Sequence, residues 1–437
     1  MYYKKLKYVL DYINNQSKGN KMNRIWKISI VLFLIMVGSV FAPAYIPVLA
    51  RDTHHYLFGS ALNGGDGHLI ENPRVPYVGQ PTEFYCTYAC LTMLIQYQGF
   101  NASLGEVLHH SGIGYSLLYT RYLAPARIPI GGFVICQSSQ NTQFLAALYN
   151  LSYNFFVPSN RHSNEENWTQ YWTQVKKNIL NDTPVLTSVD PFSLPYLREK
   201  YNISDNTSHN GHGIVLVGFN ETNRTICYND PAAALFHDDV NGTYTYLPID
   251  SFRYAVEDTT GTKFVVIIFT KSVHFYPPSP VERFKTAHNQ NILRMKGRVT
   301  VYLPYLVPFL GRKAVHALKQ DLRMGLTHRM LTVLLYVQYN GTILQTEYSI
   351  IAIEKHNVSS YLFEQENLSS ICRHDAVLLQ QESDYWKNLS LLVWKINEIR
   401  RNNSYLRTLL LSLPITLEMN TILSKIMKIE KTIIAGS

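Results

Sequence analysis

The sequence carries little charge for its length, since only 16% of its 437 residues are Asp, Glu, Lys or Arg. The formal net charge is +9, but residues 1–27 hold seven Lys or Arg and one Asp, which gives +6 and leaves +3 for the other 410 residues. Nucleic-acid-binding surfaces need clustered positive charge to neutralise phosphates. The basic composition therefore describes the N-terminal segment, and the rest of the chain indicates no nucleic-acid surface.

Cysteine is also scarce. The five cysteines are Cys86, Cys90, Cys136, Cys227 and Cys372. An exported protein could pair four of them in disulfides and leave Cys86 free, but the pairing does not follow from the sequence.

An apolar segment follows the basic leader. It runs from Ile28 to Ala42 and continues through Pro43 and Pro47 to Ala50. The strictly apolar part is short for a membrane span, whereas the full length to Ala50 is sufficient. Positive charge before such a segment predicts residues 1–27 in the cytoplasm and everything after residue 50 outside. We therefore expect residues 28–50 to be a signal anchor that holds the rest of the chain outside the membrane. If they are a cleaved signal peptide, the protein is secreted.

Glycosylation signals favour export independently. Half of the 28 asparagines after residue 50 begin Asn-x-Ser/Thr. The composition alone would produce only about four such signals in this part of the chain. The excess predicts an exported glycoprotein.

A short helix is predicted to open at Cys86. Apolar residues recur at helical spacing as far as Tyr97, and Gly99 stands where a left-handed C-terminal cap is expected. A cysteine in the first turn lies near unpaired backbone N–H groups and the positive end of the helix dipole, which both favour the nucleophilic thiolate. Gln80, six positions upstream, could donate its side-chain amide to a tetrahedral oxyanion. This pattern indicates acyl-transfer chemistry.

The base that such a cysteine needs is predicted at His212. The run from Gly213 to Phe219 is typical of a buried strand, and residues 220–223 are typical of a hairpin loop before a return strand over 224–230. Folding the hairpin brings His212 level with residues 229–231. Asp230 is the first candidate to orient the imidazole and Asn229 the second, since strand register does not follow from the sequence to one residue.

These motifs resemble those of a known family. Gln80, Cys86, Ala89, Met93-Leu94 and Tyr97-Gln98-Gly99, with Gly211-His212-Gly213 and Tyr228-Asn229-Asp230-Pro231, are similar to papain-like cysteine peptidases of the bacteriocin-processing, double-glycine-leader type. The resemblance covers residues 70 to 272. It implies an α+β papain-like fold, with an N-terminal helix that carries the cysteine and an antiparallel sheet that carries the histidine and the aspartate. It also implies that Cys86 is the nucleophile, His212 the base, Asp230 the orienting residue and Gln80 the oxyanion donor.

Other segments resemble the N-terminal domain of the butirosin biosynthesis protein H family. They are Leu104-Gly-Glu-Val-Leu108, Ser111-Gly-Ile-Gly-Tyr115 and Pro184 to Tyr196. That family shares the papain-like fold and moves an acyl group from a carrier protein to an amine. One departure from the peptidase pattern is Thr87-Tyr88, where a Gly-Pro usually follows the cysteine, and it implies a bulkier wall beside the site.

The predicted function is an extracytoplasmic cysteine peptidase or amide hydrolase. A butirosin protein H-like acyltransferase and a catalytically inactive papain-like binding module are the alternatives. The expected partner is a peptide or other amide-containing substrate, with the membrane contacted through residues 28–50 if they are uncleaved. No cofactor is expected.

Five units are predicted along the chain: a basic tail over 1–27, an anchor or signal peptide over 28–50, a papain-like catalytic domain over 51–275, a proline-rich linker over 276–284, and a mostly helical region over 285–437 without a chemical motif.

A zinc site is the alternative to the thiol chemistry. Its candidate ligands are His209, His212, His237, Asp238 and Asp239, or the pair His109 and His110. Neither set has a recognised ligand framework.

Overall fold

A computed structural model describes most of the chain beyond residue 66. The described residues are 67–82, 84–120, 129–132, 138–159, 164–194, 211–236, 242–259, 261–272, 275–298, 308–323, 335–337, 344–365, 367, 370–401, 403 and 405–436. The predicted tail and anchor, residues 1–50, lie outside them. Among the described residues, no helix combines the length and apolar character that crossing a membrane requires.

The main sheet is antiparallel and has seven strands in the described part of the chain. Its strands are β1 Gly67–Leu69, β4 Leu151–Phe156, β5 Val185–Val189, β6 His212–Asn220, β7 Thr225–Asn229, β8 Thr245–Pro248 and β9 Val266–Lys271. Their order is β4-β9-β5-β6-β7-β8, and β1 pairs with the far end of β6. Strand β6 is therefore central, which explains why eight of its nine residues are buried.

Six helices accompany this sheet in the first half of the described chain. They are α1 Cys86–Tyr97, α2 Leu104–Ser111, α3 Ser139–Leu148, α4 Asn164–Leu180, α5 Ala233–Phe236 and α6 Ile249–Asp258. Helix α1 packs on β6 and is buried along most of its length. It begins at Cys86 as predicted, and Gly99 has the left-handed φ of 90° that lets the chain leave the helix.

The second half of the described chain is mainly helical. Its helices are α7 Pro280–Met295, α8 Arg312–Arg323, α9 Glu347–Glu364, α10 Ser370–Arg401 and α11 Tyr405–Gly436. Short strands form two smaller sheets: β2 Leu117–Thr120 lies between β3 Pro129–Gly131 and β10 Pro308–Leu310, and β11 Leu335–Val337 pairs with β12 Leu344–Thr346. The α+β architecture with a helical C-terminal region is thus confirmed.

The predicted linker falls partly on a helix. Helix α7 begins at Pro280, and Ser279 and Glu282 form a reciprocal capping box around its first turn. The helix then packs against α2.

The two halves of the chain share their hydrophobic cores. The larger core contains buried residues of α1 and β6 together with Phe284, Tyr361 and Cys372 of the second half. The smaller core joins Leu117 and Tyr119 of β2 to residues of α8, α10 and α11. The helical region therefore packs directly on the part of the molecule that carries Cys86.

Candidate active site

Cys86 stands at the first position of α1, where the helix packs against β6. Its side chain is buried, with 8% of its surface exposed. The facing residue on β6 is Gly213, where an added Cβ would lie 3.4 Å from Cα of Thr87. The strand passes close enough to the start of the helix for the Gly213 backbone N–H to bond the Cys86 sulfur.

The His212 ring meets the sulfur because His212 begins β6 directly before Gly213. It is buried and pairs with Val189 of β5 across the sheet. Its Nε2 atom lies 2.7 Å from Oδ1 of Asp230. Since Nε2 is engaged by the carboxylate, Nδ1 is the nitrogen that is left for the hydrogen bond between the ring and Cys86.

Asp230, rather than Asn229, faces the imidazole. A β-bulge between Leu216 and Gly218 shifts the pairing of β6 with β7 by one residue, so that Asn229 pairs with Val215. The Asn229 side chain donates to the carbonyl oxygen of Val75 and accepts from the N–H of Tyr244. The chain then turns, and Asp230 Oδ1 also accepts the N–H of Ala232 at 2.8 Å. Asn229 thus supports the fold, and Asp230 is the residue in contact with His212.

The surroundings of Cys86 favour its thiolate. Burial opposes the charged form, but the hydrogen bond and positive charge of His212, the N–H of Gly213 and the hydroxyl of Thr87 outweigh it and lower the thiol pKa. Burial likewise opposes the imidazolium of His212, yet the charge and hydrogen bond of Asp230, together with Cys86, raise its pKa to about 10. Both shifts therefore favour the thiolate of Cys86 and the imidazolium of His212 over the neutral pair.

Cys90 has the opposite character although it lies one turn further along the same helix. Burial raises its pKa well above the usual thiol value, and the charges of Cys86 and Asp230 add to the effect. Cys90 is fully buried and unpaired. Of the two cysteines of α1, only Cys86 has the environment of a nucleophile.

Gln80 is fixed beside the Asp230 turn. Its backbone N–H donates to the carbonyl oxygen of Pro231 at 2.8 Å, and its side chain is 5% exposed. Its side-chain carbonyl oxygen is buried without a hydrogen-bond partner in the described part of the chain. The structure therefore places Gln80 next to the turn that carries Asp230, and its role as oxyanion donor stays a prediction.

Two further groups clamp the turn that carries Asp230. The Tyr77 hydroxyl donates to the carbonyl oxygen of Asp230 at 3.0 Å, and the N–H of Asp230 donates to Gly242 at 2.7 Å. Burial, with the charges of Asp230 and Cys90, raises the pKa of Tyr77 to about 12, so Tyr77 keeps its proton at neutral pH. These two bonds fix the backbone of Asp230 at its carbonyl oxygen and its N–H, and so the position from which its carboxylate reaches His212.

The candidate zinc ligands are not brought together within the described residues. His209, His237, Asp238 and Asp239 lie outside the described residues, and His212 is engaged by Asp230 and Cys86. His109 and His110 are buried on α2, and within the described residues no three His, Cys, Asp or Glu side chains are grouped so as to hold a metal ion.

Comparison with known families agrees with this geometry. Residues 73–253 match the Peptidase_C39 like family. This C39-like region contains Gln80, Cys86, His212 and Asp230, and the match supports a papain-like cysteine peptidase. The C39-like region ends within α6, before β9 and all of the helices from α7 onward. No curated protein significantly matches the chain.

Three contacts of the site were missed by the sequence reasoning. Thr87 appeared only as a departure from a family pattern, yet its hydroxyl binds the Cys86 sulfur. The N–H of Gly213 and the hydroxyl of Tyr77 were not considered. Only the polar side chain directly after a candidate nucleophile was a signal available in the sequence, because the other two contacts depend on tertiary structure.

Proposed function

We propose that the protein is a thiol-dependent hydrolase of peptide or other amide bonds. The observation that supports it best is the 2.7 Å hydrogen bond from His212 to Asp230, with the same imidazole bonded to Cys86. The buried carboxylate contacts the imidazole, and the imidazole contacts the thiol. This arrangement activates a sulfur nucleophile. The match of residues 73–253 to C39-like peptidases supports the same class of reaction.

The chemistry proceeds in two stages. The Cys86 thiolate attacks the carbonyl carbon, and a C–S bond forms while the carbonyl oxygen becomes an oxyanion, to which Gln80 and the Cys86 backbone N–H donate. When the intermediate collapses, the C–N bond breaks and the His212 imidazolium gives its proton to the leaving amine. In the second stage His212 takes a proton from water, the resulting hydroxide attacks the thioester, and the C–S bond breaks to release a carboxylic acid and the thiolate.

Acyl transfer is the second candidate. The segments that resemble butirosin biosynthesis protein H lie around the site: Leu104–Ser111 is helix α2, and β5 places Val189 opposite His212. Asp190 follows and caps the 3-10 turn Pro191–Ser193 through its side chain. The first stage would be the same, and an amine would replace water in the second.

One incubation distinguishes these functions. The purified protein and Cys86→Ala are each mixed with a set of synthetic peptides and a primary amine, and products are identified by mass spectrometry. Free carboxyl termini from the wild type alone support hydrolysis, and amides of the added amine support acyl transfer. Identical product mixtures from the two proteins would contradict both and leave an inactive binding module.

We also propose that the catalytic region lies outside the cell membrane, anchored through residues 28–50. The charge pattern and the glycosylation signals support it. Among the described residues, five asparagines in such signals have exposed side chains: Asn101, Asn181, Asn223, Asn367 and Asn388. Treatment of the native protein with a glycosidase should increase its electrophoretic mobility. An unchanged mobility and an intact mass equal to that of the bare chain would contradict export through a glycosylating pathway.

A further inference from the structure

Helix α9 contacts the C39-like region through one stripe of side chains. Glu354, Asn357, Val358 and Tyr361 recur at spacings of three and four residues and so share one face of the helix. Glycines line the surface that receives this stripe, which allows the helix to approach closely. A Cβ at Gly105 would lie 3.0 Å from Cβ of Tyr361.

Two more glycines serve the same approach. A Cβ at Gly114, which has a left-handed φ of 77°, would lie 3.1 Å from the carbonyl oxygen of Glu354 and 3.2 Å from Cγ2 of Val358. A Cβ at Gly131 would lie 2.8 Å from Glu354 Oε1. At Gly132, the backbone N–H donates to Glu354 Oε2 at 2.8 Å. The C-terminal region is thus held against the catalytic region by close packing and a buried carboxylate.

The same stripe reaches the residue before the nucleophile. Nδ2 of Asn357 donates to the hydroxyl of Tyr85 at 3.1 Å, across 272 residues of sequence. The Tyr85 ring is 1% exposed and packs edge-on against Tyr88. Burial and the nearby charge of Glu354 raise the pKa of Tyr85, while the hydrogen bond from Asn357 opposes them, so the phenol stays neutral.

Tyr85 sets the start of α1. It is the N-cap residue, its side chain makes no capping hydrogen bond, and its carbonyl oxygen accepts the N–H of Ala89 at 2.9 Å. Without a side-chain cap, the direction in which the helix begins depends on how the Tyr85 side chain is held. That direction places the Cys86 sulfur among its three donors, His212, Gly213 and Thr87.

We propose that α9 is a positioning element for the nucleophile, with Asn357 and Tyr85 as positioning residues. Small displacements of a reacting atom reduce rates strongly, because the hydrogen bonds that lower the thiol pKa depend on distance. The inference rests on the proposed function only in taking Cys86 as the nucleophile. It gives the helical region a task that does not require a substrate site of its own.

The test measures alkylation of Cys86 by iodoacetamide as a function of pH, with the labelled residue identified by mass spectrometry. Tyr85→Phe removes the acceptor and keeps the ring, Asn357→Leu removes the donor at similar volume, and the double variant removes both. We expect each single variant to slow alkylation at neutral pH by about fivefold and to shift the profile to higher pH. The double variant should be little slower than either single variant, because the two changes break one bond.

The matched control is His356→Leu, which removes an exposed side-chain hydrogen bond from the same helix to Gln380 of α10. Its profile should superimpose on that of the wild type.

Thermal unfolding of each variant separates positioning from loss of fold, since destabilisation alone lowers Tm and leaves the pH profile of the folded protein unchanged. Superimposable profiles for the wild type, Tyr85→Phe and Asn357→Leu would overturn the inference and leave the proposed function intact. A wild type that alkylates at Cys86 with the expected profile shifts in the variants, but cleaves no peptide, would contradict the proposed function and leave the inference standing.

Discussion

Oδ1 of Asp230 lies 2.7 Å from Nε2 of His212, and both side chains are buried. Of the influences that raise the His212 pKa, the negative charge of Asp230 is the largest. The imidazolium in turn stabilises the Cys86 thiolate. The Asp230 carboxylate therefore acts on His212 directly and on Cys86 through the imidazole.

Asp230→Asn keeps the shape of the side chain and removes its charge. Without the charge, the pKa of His212 falls from about 10 and the pKa of Cys86 rises toward the ordinary thiol value. Alkylation of Cys86 at neutral pH should slow by about tenfold or more. Asp250→Asn is the control, because Asp250 is an exposed acid paired with Arg224. Equal alkylation rates in the wild type and Asp230→Asn would show that the carboxylate does not act through His212.

Thr87→Val tests the hydroxyl beside the sulfur. The substitution keeps the branched shape and removes one of the donors that lower the pKa of Cys86. The pH profile of Cys86 alkylation should move to higher pH by a few tenths of a unit to about one unit. The control, Thr92→Val, removes a buried hydroxyl on the same helix that donates to the Tyr88 carbonyl oxygen. A profile that moves equally in both variants would assign the shift to the helix rather than to the hydroxyl.

Gly242→Ala should displace the Asp230 turn. A Cβ at residue 242 would overlap the carbonyl oxygen of Asp230 and lie 2.8 Å from Cβ of Ala233. We expect slower alkylation of Cys86 because the carboxylate moves away from His212. Gly79→Ala, at a neighbouring loop position where the nearest atoms lie 3.7 Å from the added carbon, should behave as the wild type. Circular dichroism establishes that Gly242→Ala is folded. If Cys86 in the folded variant is alkylated at the wild-type rate, the turn tolerates displacement.

Three buried histidines predict instability in acid. Burial lowers the pKa of His110 to about 3 and that of His288 to about 4, and lowers that of His109 well below its usual value. His110 and His288 lie near Arg283 and Asp375 respectively. Below the pKa of about 6.5 that these groups have in the unfolded chain, the unfolded state binds more protons, so stability falls as pH decreases toward the folded values. Burial raises the pKa of Asp375 to about 6, which acts in the opposite direction between that pH and about 4 and offsets part of the loss.

Urea unfolding at pH 7 and pH 5 measures this effect. His110 and His288 should each contribute a loss of about 2 kcal/mol between these pH values, less the part that Asp375 offsets. His288→Leu should reduce the difference between the two pH values, whereas a change at the exposed His316 should leave it as in the wild type. Stability that is equal at both pH values would mean that these histidines accept protons without unfolding.

Local patterns were sufficient to predict the elements that carry the site. The first residue of α1 and the buried run of β6 follow from apolar spacing and from the glycine residues near their ends. The sequence did not decide between Asp230 and Asn229, because a bulge in β6 shifts its pairing with β7 by one residue. The prolines near residue 280 indicated a linker, although the capping pair Ser279 and Glu282 marks a helix start. The contact of Asn357 with Tyr85 leaves no periodic signal, since it joins residues 272 positions apart.

The central claim is that Cys86 is the nucleophile of an amide-cleaving site. The measurement that tests it most directly is mass-spectrometric mapping of the adduct formed by the full chain with a peptide-based electrophile at neutral pH, in parallel for the wild type, Cys86→Ala and Cys90→Ala. Cys90 serves as the internal control because it is buried one turn away with a raised pKa. The account predicts a single adduct at Cys86 in the wild type and in Cys90→Ala, and none in Cys86→Ala. An adduct that persists in Cys86→Ala and disappears in Cys90→Ala, or a wild type that forms no adduct at Cys86, would contradict it.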